Sequence, residues 1–277
     1  MPLALILSSF VAASRIGGAA QQYVLAAHRI DPVLAPTAMF GRSPARGAQG
    51  QPTAPDVFRR MLADIEADAV FGLVDLVLTG HFSLPEQVTI AAEALERIIH
   101  GAAGRRPVVI VDPIMGDAPK GLYVKPEVAE AIAERLVPLA DWITPNLWEL
   151  SRLAGREVGD APDAAAAARA LGKPALVTSV PGRGGEVGVL LCRGAEAVLY
   201  AHARAESAPN GTGDLVAASF GAGLVEGLPP EAAAERAARA AAEAVDAARA
   251  LRAWDLPLVA IADRLVAPRA AVRVERF

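Results

Sequence analysis

The stretch A-P-N-G-T-G-D-L-V-A-A-S-F-G-A-G-L, residues 208–224, joins a glycine-rich turn to an apolar helical pattern of small residues. Gly211, Thr212 and Gly213 form the turn, and glycine lets a backbone approach a ligand closely with its N–H groups turned inward. The positive end of the following helix adds to such an anion-binding site. Because the Asp214 carboxylate would repel a bound phosphate, we expect it to be either a helix cap or a general base towards an attacking hydroxyl group.

Short apolar runs alternate with helical patterns along most of the chain, which is typical of βαβ units and a parallel sheet. The apolar runs are residues 3–7, 75–79, 107–111, 141–144, 174–178 and 187–192, and the helical patterns lie near 17–29, 56–68, 85–100, 126–139 and 146–154. From residue 215 onward the pattern is almost entirely helical. We therefore predict an α/β fold with a mostly parallel central sheet, helices on both faces and a single domain over residues 1–277.

Polar residues follow these predicted strands at the point where each strand ends. They are Ser8, Ser9, Gly80, His81, Asp112, Thr144, Asn146, Thr178 and Ser179. Because ligands of open parallel sheets bind beyond the carboxyl ends of the strands, we expect these residues to line one edge of the sheet. For His81 both interpretations stay open, a residue that borders the site and one that lies outside it.

The motif T-P-N-L-W-E, which begins at Thr144, supports two interpretations. Asn146 and Glu149 can form a capping box, in which each side chain accepts the other residue's backbone N–H. Pro145, however, favours the first helical position, which would make Thr144 the cap and leave Glu149 free for another role. In that case Asn146 and Glu149, three residues apart on one helix face, would join Asp112 in offering oxygen ligands to Mg²⁺ and its waters.

The stretch T-A-M-F-G-R-S-P-A-R-G-A-Q-G-Q-P-T-A-P, residues 37–55, is rich in glycine, proline and arginine and has no periodic apolar pattern. A long irregular segment inside a compact domain is either a functional flap or a disordered loop. We expect a flap over the site, because Phe40 and two arginines would be unusual in a mere linker.

Composition limits the classes of function. The net charge is −4, from 27 basic and 31 acidic residues, so the chain lacks the basic field that a nucleic-acid or membrane partner needs. The single cysteine, Cys192, excludes an internal disulfide framework and fits a reducing, cytoplasmic setting. No Lys or Arg precedes the apolar run at 3–7, which favours a buried strand over a signal peptide. No apolar run reaches the roughly 18 residues that span a bilayer.

Four motifs occur in a characteristic order: D-P-I-M-G-D from Asp112, T-P-N-L-W-E-L from Thr144, L-V-T-S from Leu176 and P-N-G-T-G-D-L-V-A-A from Pro209. In this combination the chain resembles the ribokinase-like superfamily and, within its vitamin-kinase branch, the pyridoxal kinases. The resemblance covers essentially the whole length and includes S-S-F-V at 8–11, G-G-A-A at 17–20 and P-T-A-M-F-G-R at 36–42. The G-T-G-D motif is specific for the superfamily, and D-P-I-M-G-D narrows it to the vitamin-kinase branch.

The resemblance implies a homodimeric enzyme that uses ATP and Mg²⁺ to phosphorylate the 5′-hydroxymethyl group of pyridoxal, and of pyridoxine or pyridoxamine. It implies that Asp214 is the general base and that Gly211, Thr212 and Gly213 form the anion hole. The other implied site residues are Asn146 and Glu149 at Mg²⁺ with Asp112 and Thr144 nearby, Thr178 and Ser179 at the ATP phosphates, and Ser8, Thr37 and Phe40 at the pyridine ring, Ser8 by hydrogen bonding and Phe40 by packing.

Departures from the family pattern leave the substrate open. Ser9 and Ser43 stand where pyridoxal kinases commonly carry histidines, so phosphoryl transfer is better supported than the choice of vitamer. Hydroxymethylpyrimidine phosphate kinases of the same branch have a cysteine at the position of Asp214, which counts against that activity. The alternatives are a kinase for another small hydroxymethyl heterocycle and a non-catalytic B6-vitamer binding protein. Mere binding would need neither Asp214 nor the Asn146–Glu149 pair.

Overall fold

The computed structural model describes residues 1–101 and 106–277. Its strands are β1 (Leu3–Val11), β2 (Asp31–Phe40), β3 (Gln51–Pro52), β4 (Leu76–Thr79), β5 (Val108–Val111), β6 (Gly116–Asp117), β7 (Gly121–Leu122), β8 (Trp142–Ile143), β9 (Ala175–Pro181), β10 (Glu186–Arg193), β11 (Glu196–Ala203) and β12 (Arg273–Arg276). Ten of these described strands form one sheet in the order β12-β11-β10-β9-β8-β5-β4-β1-β2-β3, and β6 pairs with β7. The strands from β9 to β2 in this order run parallel, and β10, β11, β12 and β3 pair antiparallel.

Helices cover both faces of the sheet. They are α1 (Gly18–Ala27), α2 (Pro55–Ala67), α3 (Pro85–Gly101), α4 (Pro126–Ala131, continued by a π-helical turn at Ile132–Leu136), α5 (Leu147–Ala154), α6 (Ala161–Leu171), α7 (Thr212–Val225), α8 (Pro230–Ala250) and α9 (Ala262–Val266). None of the helices in the described ranges is long and apolar enough to cross a bilayer.

The apolar run of β1 fits a strand that is covered on both sides. Successive strand side chains point to opposite faces, so a continuous apolar run fills two cores at once. Leu5 and Leu7 lie in the core with α2 to α6, whereas Ala4 and Ile6 lie in the core with α1, α7 and α8.

Small residues bring α7 close to the middle of the sheet. A Cβ on Gly221 would lie 2.9 Å from the Leu76 side chain of β4, and one on Gly223 would lie 2.7 Å from Cβ of Ala233 in α8. Larger side chains at these positions would push α7 away from its neighbours. The alanine- and glycine-rich helix is therefore what sets the residues of its first turn beside the strand ends.

The predicted α/β fold with a mostly parallel sheet is confirmed. The six predicted strands correspond to β1, β4, β5, β8, β9 and β10, and the five helical patterns correspond to α1–α5. The sequence did not lead us to β2, β11, β12 or α6. The expectation of an almost entirely helical C-terminal part is corrected by β12 at the end of the chain. This strand has the charged sequence R-V-E-R, which is typical of a short edge strand and gives no apolar signal.

The segment predicted to be irregular from residue 37 begins inside a strand. Residues 37–40 complete β2, and β3 pairs back onto Ala38 and Met39. The connection between these two strands is residues 41–50, which include a short 3-10 helix at Pro44–Arg46. Pro32 and Pro36 argue against a central strand. They are tolerated because β3 reaches only Ala38 and Met39, which leaves β2 an edge strand at both prolines. We call residues 41–50 the flap.

Candidate active site

The glycine turn, residues 211–213, contains one position whose backbone favours glycine. Gly211 is the N-cap of α7 and has φ +97°, in the left-handed region. A Cβ at this position would also overlap the carbonyl oxygen of Arg15. Gly213, by contrast, has no atom within 4 Å of its potential Cβ. Gly211 is thus required by backbone geometry, whereas Gly213 faces open space that a ligand can occupy.

Asp214 lies in the first turn of α7 and is 6% exposed. Its Oδ2 accepts the backbone N–H of Gly17 at 2.8 Å, and its Oδ1 lies 3.5 Å from Nε2 of Gln21. Gly17 is the N-cap of α1, so the carboxylate lies between the N-terminal ends of two helices. Burial raises the pKa of Asp214 to about 6, against the lowering effect of the Gly17 hydrogen bond.

The helix-cap alternative for Asp214 on its own helix is wrong. No side chain caps α7, whose N-cap is Gly211, because Asp214 stands at the third helical position and turns away from the N–H groups of its own first turn. Its carboxylate instead accepts a main-chain N–H almost two hundred residues away in sequence. Gly17 and Gln21 are site residues that our sequence reasoning missed, although the G-G pair before α1 is a signal for a close main-chain approach.

Asp112 lies within electrostatic reach of two further carboxylates, those of Asp214 and Glu149. Asp112 follows β5 and is buried, and the pKa of Asp112 is raised well above its usual range by burial and then by the charges of Glu149 and Asp214. Asp112 and these two neighbours form an acidic region that favours a bound cation. Over the described ranges, however, no three His, Cys, Asp or Glu side chains are arranged to hold a metal ion by themselves.

Asn146 and Glu149 form the complete capping box of α5. The Asn146 side chain accepts the N–H of Glu149 at 2.9 Å, and Oε2 of Glu149 accepts the N–H of Asn146 at 2.9 Å. The interpretation in which Thr144 is the cap and Glu149 is left free is therefore wrong. Asn146 is held in extended backbone conformation by a parallel bridge to Thr178, so Pro145 precedes the cap instead of opening the helix.

Glu149 has a second task beyond capping. Its Oε1 accepts the N–H groups of Met115 at 2.7 Å and Gly116 at 3.3 Å, and the Asn146 amide donates to the Gly116 carbonyl at 2.8 Å. The box thus fixes the D-P-I-M-G-D loop against α5. Burial raises the pKa of Glu149 to about 7, opposed by these backbone N–H groups. With three N–H partners, the carboxylate keeps about one acceptor position, which suits a water molecule better than direct chelation of a metal.

Thr178 and Ser179 lie at a bulge of β9. The pairing of β9 with β10 shifts between Gly188 and Leu190, and Ser179 has φ +62°, which a non-glycine residue rarely adopts. Such bulges redirect a side chain and are common beside active sites. The Thr178 N–H donates to the Pro145 carbonyl at 2.9 Å, which brings the end of β9 to the start of α5.

The residues expected at the pyridine ring differ in their surroundings. Ser8 is fully buried, its hydroxyl has no hydrogen-bond partner, and a Cβ on Gly80 would overlap it. Thr37 is also fully buried, and its hydroxyl donates to the His81 carbonyl. Phe40 is partly buried and meets the His81 ring edge-on at 6.2 Å. Ser8 therefore has a free hydroxyl for a ligand, whereas the Thr37 hydroxyl already supports the His81 turn.

His81 borders the group formed by Ser8, Thr37 and Phe40. The sequence alone left open whether His81 lies next to these residues. Its ring contacts Phe40, and its Nε2 lies 3.1 Å from the Ser83 hydroxyl. Burial lowers the pKa of His81 to about 4, so the imidazole is neutral at physiological pH. The neutral imidazole has one nitrogen that donates a hydrogen bond and one that accepts a hydrogen bond.

Comparisons with known proteins show which family the chain belongs to. A sequence model described as phosphomethylpyrimidine kinase matches residues 20–258. The pyridoxine/pyridoxal/pyridoxamine kinase of Bordetella avium is 34% identical over 251 residues, covering 87% of this chain and 83% of the relative. The pyridoxal kinase PdxY of Leifsonia xyli is 33% identical over 229 residues, covering 80% of each chain.

Solved structures give the same result at the level of the fold. Pyridoxal kinase from Leishmania donovani in complex with ADP and pyridoxamine superposes with a TM-score of 0.91 at 25% identity, covering 100% of both chains. Pyridoxal kinase from Entamoeba histolytica has a TM-score of 0.90 at 22% identity and the same coverage. The fold is the ribokinase-like α/β fold. The chain belongs to the phosphomethylpyrimidine kinase family and, within it, to the branch of the pyridoxal kinases.

Proposed function

We propose that this protein transfers the γ-phosphoryl group of ATP to the 5′-hydroxymethyl group of pyridoxal, and of pyridoxine or pyridoxamine. The observation that carries the proposal is the buried Asp214 carboxylate, oriented by the Gly17 N–H next to a glycine turn at a helix N-terminus. The names of the relatives support the substrate class, as do the Leishmania donovani pyridoxal kinase structures in complex with ADP and either pyridoxamine or pyridoxine.

Asp214 is the general base in this proposal. As the substrate oxygen bonds to the γ-phosphorus, its proton passes to the carboxylate, the bond from phosphorus to the β–γ bridging oxygen breaks, and ADP leaves with the electron pair. Oδ2 accepts the Gly17 N–H at 2.8 Å, whereas Oδ1 has the longer contact of 3.5 Å with Nε2 of Gln21, so Oδ1 is the oxygen that takes the proton. A pKa of about 6 suits this task, since the carboxylate is ionised near neutral pH yet still basic.

The glycine turn holds the transferred group. Its main-chain N–H groups and the positive end of α7 stabilise the charge that gathers on the phosphoryl oxygens. Main-chain donors cannot be removed by changing a side chain, so the Thr212 side chain contributes less than the turn itself. The open space at Gly213 is where the phosphoryl group approaches.

The acidic region fits Mg²⁺. Mg²⁺ keeps several waters and is commonly held by one or two carboxylates together with substrate phosphates, so a site without a full set of protein ligands suits it. Asp112 and the Asn146–Glu149 box would organise its waters, with Thr144 nearby. When bound, the ion neutralises phosphate charge. Thr178 and Ser179, at the end of β9, would contact the ATP phosphates.

The substrate end of the site consists of Ser8, Phe40 and the residues behind them. The unpartnered Ser8 hydroxyl would hydrogen-bond the pyridine ring, and Phe40 would pack on it. Thr37 acts from behind, through the His81 carbonyl. The flap would close over both substrates, within a single catalytic domain. The protein would work in the cytoplasm as a homodimer, and light scattering measures this oligomeric state directly.

A kinase for another hydroxymethyl heterocycle is the second candidate. The description of the family model as phosphomethylpyrimidine kinase favours it. ATP consumption and phosphorylated product should therefore be measured by mass spectrometry with pyridoxal, pyridoxine, pyridoxamine and hydroxymethylpyrimidine. We expect the highest kcat/KM with a B6 vitamer. A preference for hydroxymethylpyrimidine would favour the second candidate. If none of the four compounds supported ATP turnover, a non-catalytic binding protein would be favoured.

A further inference from the structure

The flap touches a segment that belongs to none of the sequence motifs. Residues 251–258, here called the rim segment, follow α8 and are anchored in the core by the buried Leu256 and Leu258. Trp254 of this segment is 62% exposed, although Leu256 and Leu258 of the same segment are buried. The Arg46 guanidinium of the flap lies over the Trp254 indole, 4.5 Å from the ring centroid.

The rim segment also contacts the wall of the glycine turn. The Asp255 carboxylate accepts the backbone N–H of Arg15 in the loop between β1 and α1. The carbonyl oxygen of the same Arg15 is the atom that a Cβ on Gly211 would overlap, and Leu256 Cδ1 lies 3.4 Å from that position. The rim segment is thus packed between the flap on one side and the glycine turn on the other.

The base of the flap and its far part are held differently. At the base, the carbonyl groups of Phe40 and Gly41 accept the N–H groups of Ala12 at 2.9 Å and Ala13 at 3.1 Å. Farther along, the ring contact of Arg46 is a side-chain contact that can open without breaking the main-chain pairs. Arg42, the other flap arginine, makes no ion pair or ring contact within the described part of the chain.

We propose that Trp254 is a positioning residue, whose ring receives Arg46 and thereby seats the flap next to the glycine turn when ATP and the hydroxymethyl substrate are bound. This inference rests on the proposed kinase function. An exposed cation–π contact is weak, which suits a contact that must form and break in each turnover. Its loss would shift the opening equilibrium about two- to five-fold, the factor that corresponds to an exposed contact of this kind.

Hydrogen exchange of residues 41–50 tests this contact directly. The full-length protein would be measured by mass spectrometry, free and with ADP plus pyridoxal, as wild type, Trp254→Ala, Trp254→Phe, Arg46→Gln and the matched control Arg42→Gln. With ADP plus pyridoxal bound, we expect faster exchange of the flap in Trp254→Ala and in Arg46→Gln and near wild-type exchange in Trp254→Phe and Arg42→Gln. Combining Trp254→Ala with Arg46→Gln should give no further increase. The KM of the active variants should rise while kcat changes less.

Two results would overturn the proposal: wild-type exchange of the flap in Trp254→Ala, or equal effects of Arg42→Gln and Arg46→Gln. Because Trp254 is exposed, its replacement should leave the melting temperature unchanged, and this is checked in parallel. The exchange comparison needs no turnover. A wild-type protein that failed to phosphorylate pyridoxal would thus contradict the proposed function, while exchange with ADP plus pyridoxal would still decide whether Trp254 seats the flap.

Discussion

The Asp214 carboxylate and the Gly17 N–H are joined by a hydrogen bond of 2.8 Å, which connects the first turn of α7 to the N-cap of α1. One carboxylate oxygen is thus fixed by the main chain, and the other, 3.5 Å from Nε2 of Gln21, is the one that we propose takes the proton. A general base needs both a defined direction and a suitable pKa, and this contact provides the first of the two.

The pH dependence of kcat/KM should report the ionisation of Asp214. Burial raises its pKa from 3.8 to about 6, so the protonated, inactive form accumulates as the pH falls below about 6. We expect kcat/KM to fall about tenfold per pH unit well below that pH, because kcat/KM reports the free enzyme. A profile that stayed level down to pH 4.5 would exclude Asp214 as the essential base.

Two glycines of one turn should behave differently when each is replaced by alanine. Gly211→Ala puts a Cβ into the Arg15 carbonyl oxygen at a φ of +97°, so we expect a lower melting temperature together with lost activity. Gly213→Ala meets no atom within 4 Å, so the fold should survive while turnover falls, because the methyl group occupies the space of the phosphoryl group. Thermal unfolding and kinetics on both variants make the comparison. Full activity of Gly213→Ala would contradict the proposal that the phosphoryl group occupies the space next to Gly213.

Glu149→Gln should affect both stability and magnesium dependence. Gln replaces one of the two oxygens that together accept three N–H groups with an NH₂ group, which cannot accept them, so the melting temperature should fall. The Mg²⁺ concentration needed for half-maximal turnover should rise if the residue organises the ion. Asp160→Ala is the matched control. It removes the side-chain cap of α6 and should cost about 0.5–2 kcal/mol with no change in Mg²⁺ dependence. Equal Mg²⁺ dependence in the two variants would limit Glu149 to capping.

The flap should be protected when both substrates are bound. Closure excludes water from phosphoryl transfer, so residues 41–50 should exchange hydrogen rapidly in the free protein and slowly with ADP plus pyridoxal. The buried strand β4 serves as an internal reference, since its exchange should not change. Equal exchange of the flap in the free and ternary states would make it an ordinary loop.

Most of the strands that are buried on both faces were predicted from the sequence. The runs that became β1, β4, β5, β8 and β9 are short and apolar because helices cover both faces, and such runs are easy to recognise. The strand β2 was missed because of Pro32 and Pro36, which only its position at the edge of the sheet explains. The strand β11 pairs with β10 through a two-residue turn at Gly194 and Ala195, a local signal that the sequence contains and that we did not use.

The site was predictable where chemistry is concentrated in a motif. The G-T-G-D turn and the polar strand ends gave most candidates, because parallel strands deliver their ends to one edge. The partners of Asp214 were not predictable, since Gly17 and Gln21 lie almost two hundred residues away in sequence. The roles of Asn146 and Glu149 also depended on the fold, because the bridge from Asn146 to Thr178 decides where α5 begins.

The most direct test is the kcat of Asp214→Asn at pH 7.5, measured with saturating ATP, Mg²⁺ and pyridoxal. Asparagine keeps an oxygen for the Gly17 N–H and removes a buried charge whose raised pKa makes the ionised form destabilising above about pH 6, so the variant should be at least as stable as wild type. Its affinities for ATP and pyridoxal should change little. We predict a loss of at least about a hundredfold in kcat, in line with general-base assistance of about 10²–10⁴. Near wild-type kcat in a folded variant that binds both substrates would contradict the assignment of Asp214 as the base of this kinase.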